Sequence, residues 1–266
     1  MSTPTITSEY WASLRREAAK RAGLTLAQKY KGCQPLRMSG KEFPHIGEFP
    51  KSIPLIPREQ WPDLVRDGKG EFLSDMRKGI LRPHNQHSTS RCWVHGSVRT
   101  VEIIRLWMNQ PAMLLSPDSV AYPIEGTRDR GGYPGDACEQ MHIGGACPLS
   151  DWPEGDISPK NASPDWKERA QANILINWVR VKTWDQQITL ALHRIPVAIG
   201  LRWWGHLVCQ LDPVFTDDGD VGIGIDNSWG KNWGDNGYGI LDKRSGTADL
   251  GAFAPIASTW SPEVQA

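Results

Sequence analysis

A thiol, an imidazole and a carboxamide can act together: the thiolate as nucleophile, the imidazole as proton carrier, the amide as the group that orients the ring. Cys92, His206 and Asn227 offer that set in this order along a chain of 266 residues. Cys92 opens a strongly periodic stretch in which Val94, Val98, Val101, Ile104 and Met108 recur at steps of three and four, which predicts an amphipathic helix over 92–110. In the first turn of that helix, free N–H groups and the positive end of the dipole favour an anion, and the adjacent Arg91 pushes the same way. Taken alone, Cys92 also fits a small buried residue at a helix start, and His206, in Trp-Trp-Gly-His-Leu-Val (203–208), fits an ordinary strand-end histidine. Asn227 follows another predicted strand and opens Asn-Ser-Trp-Gly-Lys-Asn-Trp-Gly-Asp-Asn-Gly-Tyr (227–238). Asn236-Gly237 is a good hairpin turn, but a hairpin does not account for the paired Trp-Gly steps.

The elements that must position these residues change character along the chain. Residues 8–22 read as a helix with Ser8 as cap and Gly23 as stop. Residues 32–62 carry Gly and several Pro at irregular spacing and read as an extended, surface-hugging segment; 71–79 reads as a short helix. Leu115-Ser116-Pro117-Asp118 looks like the cap and first turn of another helix, and Gly131-Gly132-Tyr133-Pro134 like a turn followed by a helix to about His142. Residues 144–168 read as a long loop. Strands are expected at 174–181, 197–201, 207–215 and 221–226, with a helix at 186–193 between the first two. Helices followed by strands predict an α+β protein in two lobes.

These residues resemble those of the papain-like cysteine peptidases. In that family a Gln stands six residues before the nucleophilic Cys and a Trp follows it, as Gln86, Cys92 and Trp93 do here. The family's Asn-Ser-Trp-Gly-x-x-Trp-Gly-x-x-Gly-Tyr signature is matched in full by 227–238, and that motif is highly specific. Leu115-Ser116 resembles the start of the family's second helix, and Gly131-Gly132 its substrate-cleft Gly pair. The resemblance implies a helical left lobe and a β-barrel-like right lobe with the active-site cleft between them. It implies that Cys92 attacks the scissile carbonyl, His206 pairs with it and protonates the leaving amine, and Asn227 fixes the ring. It further implies that Trp229 shields that hydrogen bond, that the Gln86 amide and the Cys92 backbone N–H form the oxyanion hole, and that Gly131 and Gly132 pair with substrate backbone.

The departures are also informative. The run His87-Ser88-Thr89-Ser90-Arg91 replaces the family's Gly-rich stretch, and His87 and Arg91 are expected to crowd the cleft. Thr89 stands where the family has a half-cystine, and the partner expected near Asp129 is missing too. Gly205 stands where the family commonly has Asp or Asn before the histidine. The likeness runs from about 53 to 262, which leaves 1–52 as an N-terminal extension before a peptidase domain over 53–266. That extension, a helix plus a Pro-rich strap, reads as a remnant propeptide, a cleft-blocking strap or a docking arm, and a strap over the back of the lobes is the plainest expectation.

Composition sets the outer limits. Lys plus Arg equals Asp plus Glu at 30 each, so no global field points to nucleic acid or an anionic membrane. No run approaches the ~20 apolar residues of a membrane span. The start, Met-Ser-Thr-Pro-Thr-Ile-Thr, lacks a secretory signal pattern. Five Cys (33, 92, 138, 147, 209) fit no disulfide framework, so a cytoplasmic, reducing setting is expected. Cys138, His142 and Cys147 lack a fourth ligand at zinc spacing, and neither a metal nor a cofactor is expected. His84 reads as a polar loop group. The expected partner is a peptide or protein substrate. The alternative is a papain-fold structural or binding component of a larger assembly such as a virus particle, docked through residues 1–50; a third reading moves the same chemistry to a cell-wall or isopeptide amide.

Overall fold

A computed structural model of the chain describes residues 5–6, 32–36, 41–68, 76–77, 81–173 and 176–257. The helix expected at 8–22, and most of that expected at 71–79, lie outside the described residues. Two short strands come first, β1 (Thr5–Ile6) and β2 (Ile46–Glu48), then the helix α1 (Trp61–Asp67). A helical region follows: α2 (Cys92–Trp107), α3 (Pro117–Glu125), α4 (Pro134–Gly144) and α5 (Trp166–Gln171). The last third is β3 (Ile176–Arg180), α6 (Trp184–Leu192), β4 (Val197–Leu201), β5 (His206–Phe215), β6 (Val221–Asp226), β7 (Tyr238–Leu241), α7 (Lys243–Gly246) and β8 (Ala252–Ala257).

Local chemistry explains several boundaries. The Ser116 hydroxyl accepts from the Ser119 N–H at 3.3 Å, with Pro117 at the first helical position of α3. A capping box between Thr183 and Gln186 starts α6 two residues before the apolar pattern predicted. Asn236 and Gly237, both at positive φ, close a two-residue turn in which Asp235 and Tyr238 exchange backbone bonds of 2.9 and 3.1 Å.

One eight-stranded sheet runs β1-β7-β6-β5-β4-β8-β3-β2. Its interior pairs are antiparallel, while both outer pairs, β1 with β7 and β2 with β3, are parallel. Both edge strands therefore come from the N-terminal 52 residues. One apolar core lies on the sheet, around Ile188, Val197, Ile199, Trp204, Ile223 and Ile225. A second lies among the helices, around Trp93, Val98, Leu115, Val120 and Phe253.

Helix α2 lies between these cores, and residues 91–105 are all buried. The periodicity predicted one apolar face and one wet face, so this is a correction. Polar positions are enclosed too, and ion pairs satisfy some of them: Arg99 bonds Glu102, and its Nε donates to Asp226 Oδ2 at 2.8 Å. Among the described residues no helix is long and apolar enough to cross a membrane.

Candidate active site

The strand–helix arrangement delivers three distant residues to one place. Cys92 is the first residue of α2, His206 the first of β5, and Asn227 directly follows β6. Antiparallel pairing sets Cys209 opposite Asp226, so the ends of β5 and β6 bring His206 and Asn227 side by side. His206 Nε2 lies 2.7 Å from Asn227 Oδ1. With Nε2–H donating to that oxygen, Nδ1 is the nitrogen left for another partner. Cys92 and His206 line the same cavity of about 410 Å³, together with Gly32, Gln86, Thr89 and Trp229.

Aromatic rings enclose the imidazole. Trp229 lies 4.8 Å and Trp204 4.9 Å from the His206 ring, centroid to centroid, and Trp204 meets Trp229 edge-on. Trp204 is the functional neighbour that residue-by-residue reading misses, because a Trp beside a Trp in a strand lead-in has no signature of its own. The Gln86 amide donates to the Thr89 carbonyl at 2.6 Å, and its Oε1 accepts from Ser228 Oγ at 2.6 Å. An amide nitrogen carries two hydrogens, so one donor remains. The stretch 84–86 is stitched to 228–230 by backbone bonds, Gln86 N–H to Ser228 O and Gly230 N–H to His84 O, each 2.8 Å.

Gly131, Gly132 and Trp93 are not in this cavity. The two glycines line a separate space of about 160 Å³ with Leu36 and Tyr133. Trp93 is fully buried directly beneath Gly132, where an added Cβ would come within 2.6 Å of the indole. Gly132 does pair with an extended backbone, but with this chain's own. Its N–H donates to Gly32 O at 2.9 Å, and its carbonyl accepts from Gln34 N–H at 2.8 Å, in a parallel bridge centred on Cys33. Cys33 N–H also donates to Gly205 O at 3.1 Å. Gly32 passes so close to the thiol that a Cβ there would lie 2.3 Å from Cys92 Sγ. The expectation of a strap confined to the back of the lobes is thus corrected: residues 32–34 cross the front, over Cys92.

Burial decides the electrostatics. Burial pushes the Cys92 thiol up to about 12, against the opposing pull of the Leu207, Trp93 and Cys92 backbone N–H groups. Burial also pulls His206 down to about 4, which the Asn227 hydrogen bond offsets only in part. The low thiol pKa expected from the helix start is therefore not found in this state, because desolvation exceeds the helix-end effect. Arg91 does not help either. It turns away from the cleft, fully buried, into Asp118, Glu125 and the Gly126 carbonyl, the last two at 3.1 and 2.9 Å. Of the two residues expected to crowd the cleft, only His87 lines it. Asp129 has taken over a tie near the missing disulfide: its Oδ1 accepts from Ser90 N–H at 2.7 Å. All five cysteines are free.

Known proteins of this shape can now be set beside the chain. Xylellain, a cysteine protease from Xylella fastidiosa, superposes with a TM-score of 0.63 over 86% of this chain and 98% of its own, at 18% identity. The fold is papain-like. The papain-like shape recurs in the proform of the ragweed pollen allergen Amb a 11, a cysteine protease, at a TM-score of 0.58 over 70% of this chain and 66% of that one, at 18% identity. Bromelain from Ananas comosus, solved in complex with the inhibitor E64, gives 0.55 over 69% of this chain and 98% of its own, at 18% identity. In sequence, a cysteine proteinase of Theileria annulata is 26% identical over 194 residues, 64% of this chain. The matched region spans 42% of that relative's length. No family model matches.

Proposed function

We propose that the chain is a cysteine-type peptidase that hydrolyses peptide bonds through Cys92 and His206. The observation that carries this reading is the His206–Asn227 hydrogen bond of 2.7 Å beside the cavity that Cys92 and His206 line, which leaves Nδ1 for the thiol. In the open site the thiol proton moves to Nδ1, and the thiolate attacks the carbonyl carbon. The C–S bond forms as the carbonyl pair moves to oxygen, where the free Gln86 N–H and the Cys92 backbone N–H receive it. The imidazolium then gives its proton to the leaving nitrogen as the C–N bond breaks. Water, losing a proton to Nδ1, hydrolyses the thioester and restores the thiol pair. Asn227 holds the ring throughout, and Trp204 and Trp229 keep water off that bond.

The closed state supports a second element of this reading: residues 32–34 act as an inhibitory strap of the N-terminal extension. With the strap down, the thiol and the imidazole are both neutral, and the backbone edge of Gly132 is already taken. Lifting it admits water and removes most of the burial that holds the two groups uncharged. The five free, buried thiols fit a chain that works in a reducing compartment.

The test is labelling with E64, the inhibitor bound in the bromelain structure, read by intact mass. One adduct is expected, absent from Cys92→Ala and His206→Ala. Gly32→Ala places a methyl against the thiol, and it should speed labelling several-fold by displacing the strap. This substitution is cleaner than deleting residues 1–50, which would remove both edge strands. If folded wild type and Gly32→Ala both remain unlabelled, the peptidase reading fails and the assembly role replaces it.

A further inference from the structure

Further along α2 from the thiol lies a second group of side chains that the peptidase chemistry does not use. His84, His95 and Glu154 each present one ligand atom, and these atoms lie within 4.8 Å of one another. They come from three segments: the stretch leading to Gln86, the first turns of α2, and the long loop before α5. Both histidines are 1% exposed. His84 Nδ1 is 2.7 Å from Glu154 Oε2, and its Nε2 is 3.0 Å from Glu102 Oε1.

His95 is the residue that asks for an explanation. Both of its ring nitrogens are buried, and neither has a hydrogen-bond partner. A buried imidazole without a partner is costly, and a position that needed only bulk would be served by an apolar ring. Its ring meets the His84 ring edge-on at 5.5 Å, so its neighbour is the other candidate ligand.

We infer that His84, His95 and Glu154 form a binding site for a divalent cation of the zinc class. Two imidazoles and one carboxylate are a donor set that zinc accepts, with a fourth position left for water. Tetrahedral ligands at ~2.1 Å from the ion stand roughly 3.4 Å apart, so the present spacing needs only small side-chain shifts. The proton shared by His84 Nδ1 and Glu154 leaves as the ion enters. Glu102 then accepts from Nε2–H and fixes the tautomer that turns Nδ1 to the metal, the usual outer partner of a ligating histidine. Glu102 is itself held by Arg99 and by the Leu115 N–H at 2.6 Å, and Glu154 Oε1 accepts from Arg82 at 2.6 Å. The bound ion would pin the segment carrying Gln86 to α2 and to the long loop. This inference does not depend on the peptidase reading.

The probes are Co²⁺ and Zn²⁺ added to chelator-treated full-length protein in a Cys92→Ser background, which removes the other thiol–imidazole pair. One equivalent of Co²⁺ per chain is expected, with visible absorption bands, displacement by Zn²⁺ and a raised melting temperature. His95→Phe breaks no hydrogen bond, so it should melt near the parent without metal yet bind at least ~100-fold more weakly. Glu154→Gln, a second ligand change, should weaken binding in the same direction. Absence of stoichiometric uptake by the parent overturns the proposal, and so does parent-like binding by both variants.

Discussion

His206 and His84 are both buried beside helix α2, yet their pKa values move in opposite directions. His206 faces a neutral amide and a wall of tryptophan. Burial therefore dominates, and the ring is held neutral with its pKa near 4. At His84 burial also pulls downward, but Glu102 and Glu154 outweigh it, and the net shift is upward. Depth alone does not set a buried group's charge; the partners brought to it do. The surroundings of His206 are poor in charged partners, which leaves its charge state responsive to water. Those of His84 are rich in them, which makes that group a fixed scaffold.

Removing Glu102 should break this contrast most severely. Glu102→Ala leaves the Leu115 N–H without its acceptor and strips one partner each from Arg99 and His84, and about 3–5 kcal/mol of stability should be lost in chemical denaturation. A smaller loss would mean that the His84 group is wetter than its burial indicates. His206 should instead reveal itself through pH. Between pH 6.5 and about 4 the unfolded chain binds a proton at His206 that the folded chain refuses. Stability should therefore fall as pH drops through that window, by up to about 3 kcal/mol from this group. His206→Gln should flatten that part of a urea-denaturation series run from pH 7 to 4.5; an unchanged slope would show that the ring is already solvated. Asn227→Ala sharpens the contrast with the smallest effect on stability. Loss of one neutral hydrogen bond costs about 1 kcal/mol, while E64 labelling should slow by ~10²-fold as the ring loses its orientation. Equal losses in stability and labelling would make Asn227 merely structural.

The difference between the two groups also governs what could be read from the residues alone. The Gln86–Cys92–Trp93 offset and the 227–238 run can be read directly from the sequence, whereas His206 has no motif of its own, and continuous apolar runs split by turns locate β4, β5 and β6 to within a residue of their ends. The destination of Arg91 was not legible: Asp118 and Glu125 are 27 and 34 residues away, and only the packing of α3 against α2 brings them in. His95 was hidden in the same way, since a histidine between apolar positions of a helix carries no sign of what surrounds it. Part of the cover over the thiol comes from Gly32, in a segment without periodicity whose path is set by the partners it meets. Local pattern specifies elements; enclosure, and the charge that follows from it, is a property of the whole assembly of segments.

The two edge strands of the sheet have a consequence for that segment. β1 pairs with β7 at one margin and β2 with β3 at the other, so residues 32–34 belong to a span anchored at both ends. On the reading proposed above, an incoming peptide competes with a tethered rival whose effective concentration does not fall when it lifts away. Dilution cannot relieve such a block, and adding more substrate does so only slowly. A single cut between β1 and residues 32–34 removes one anchor, and the rival, now held only through β2, should compete less strongly for the thiol.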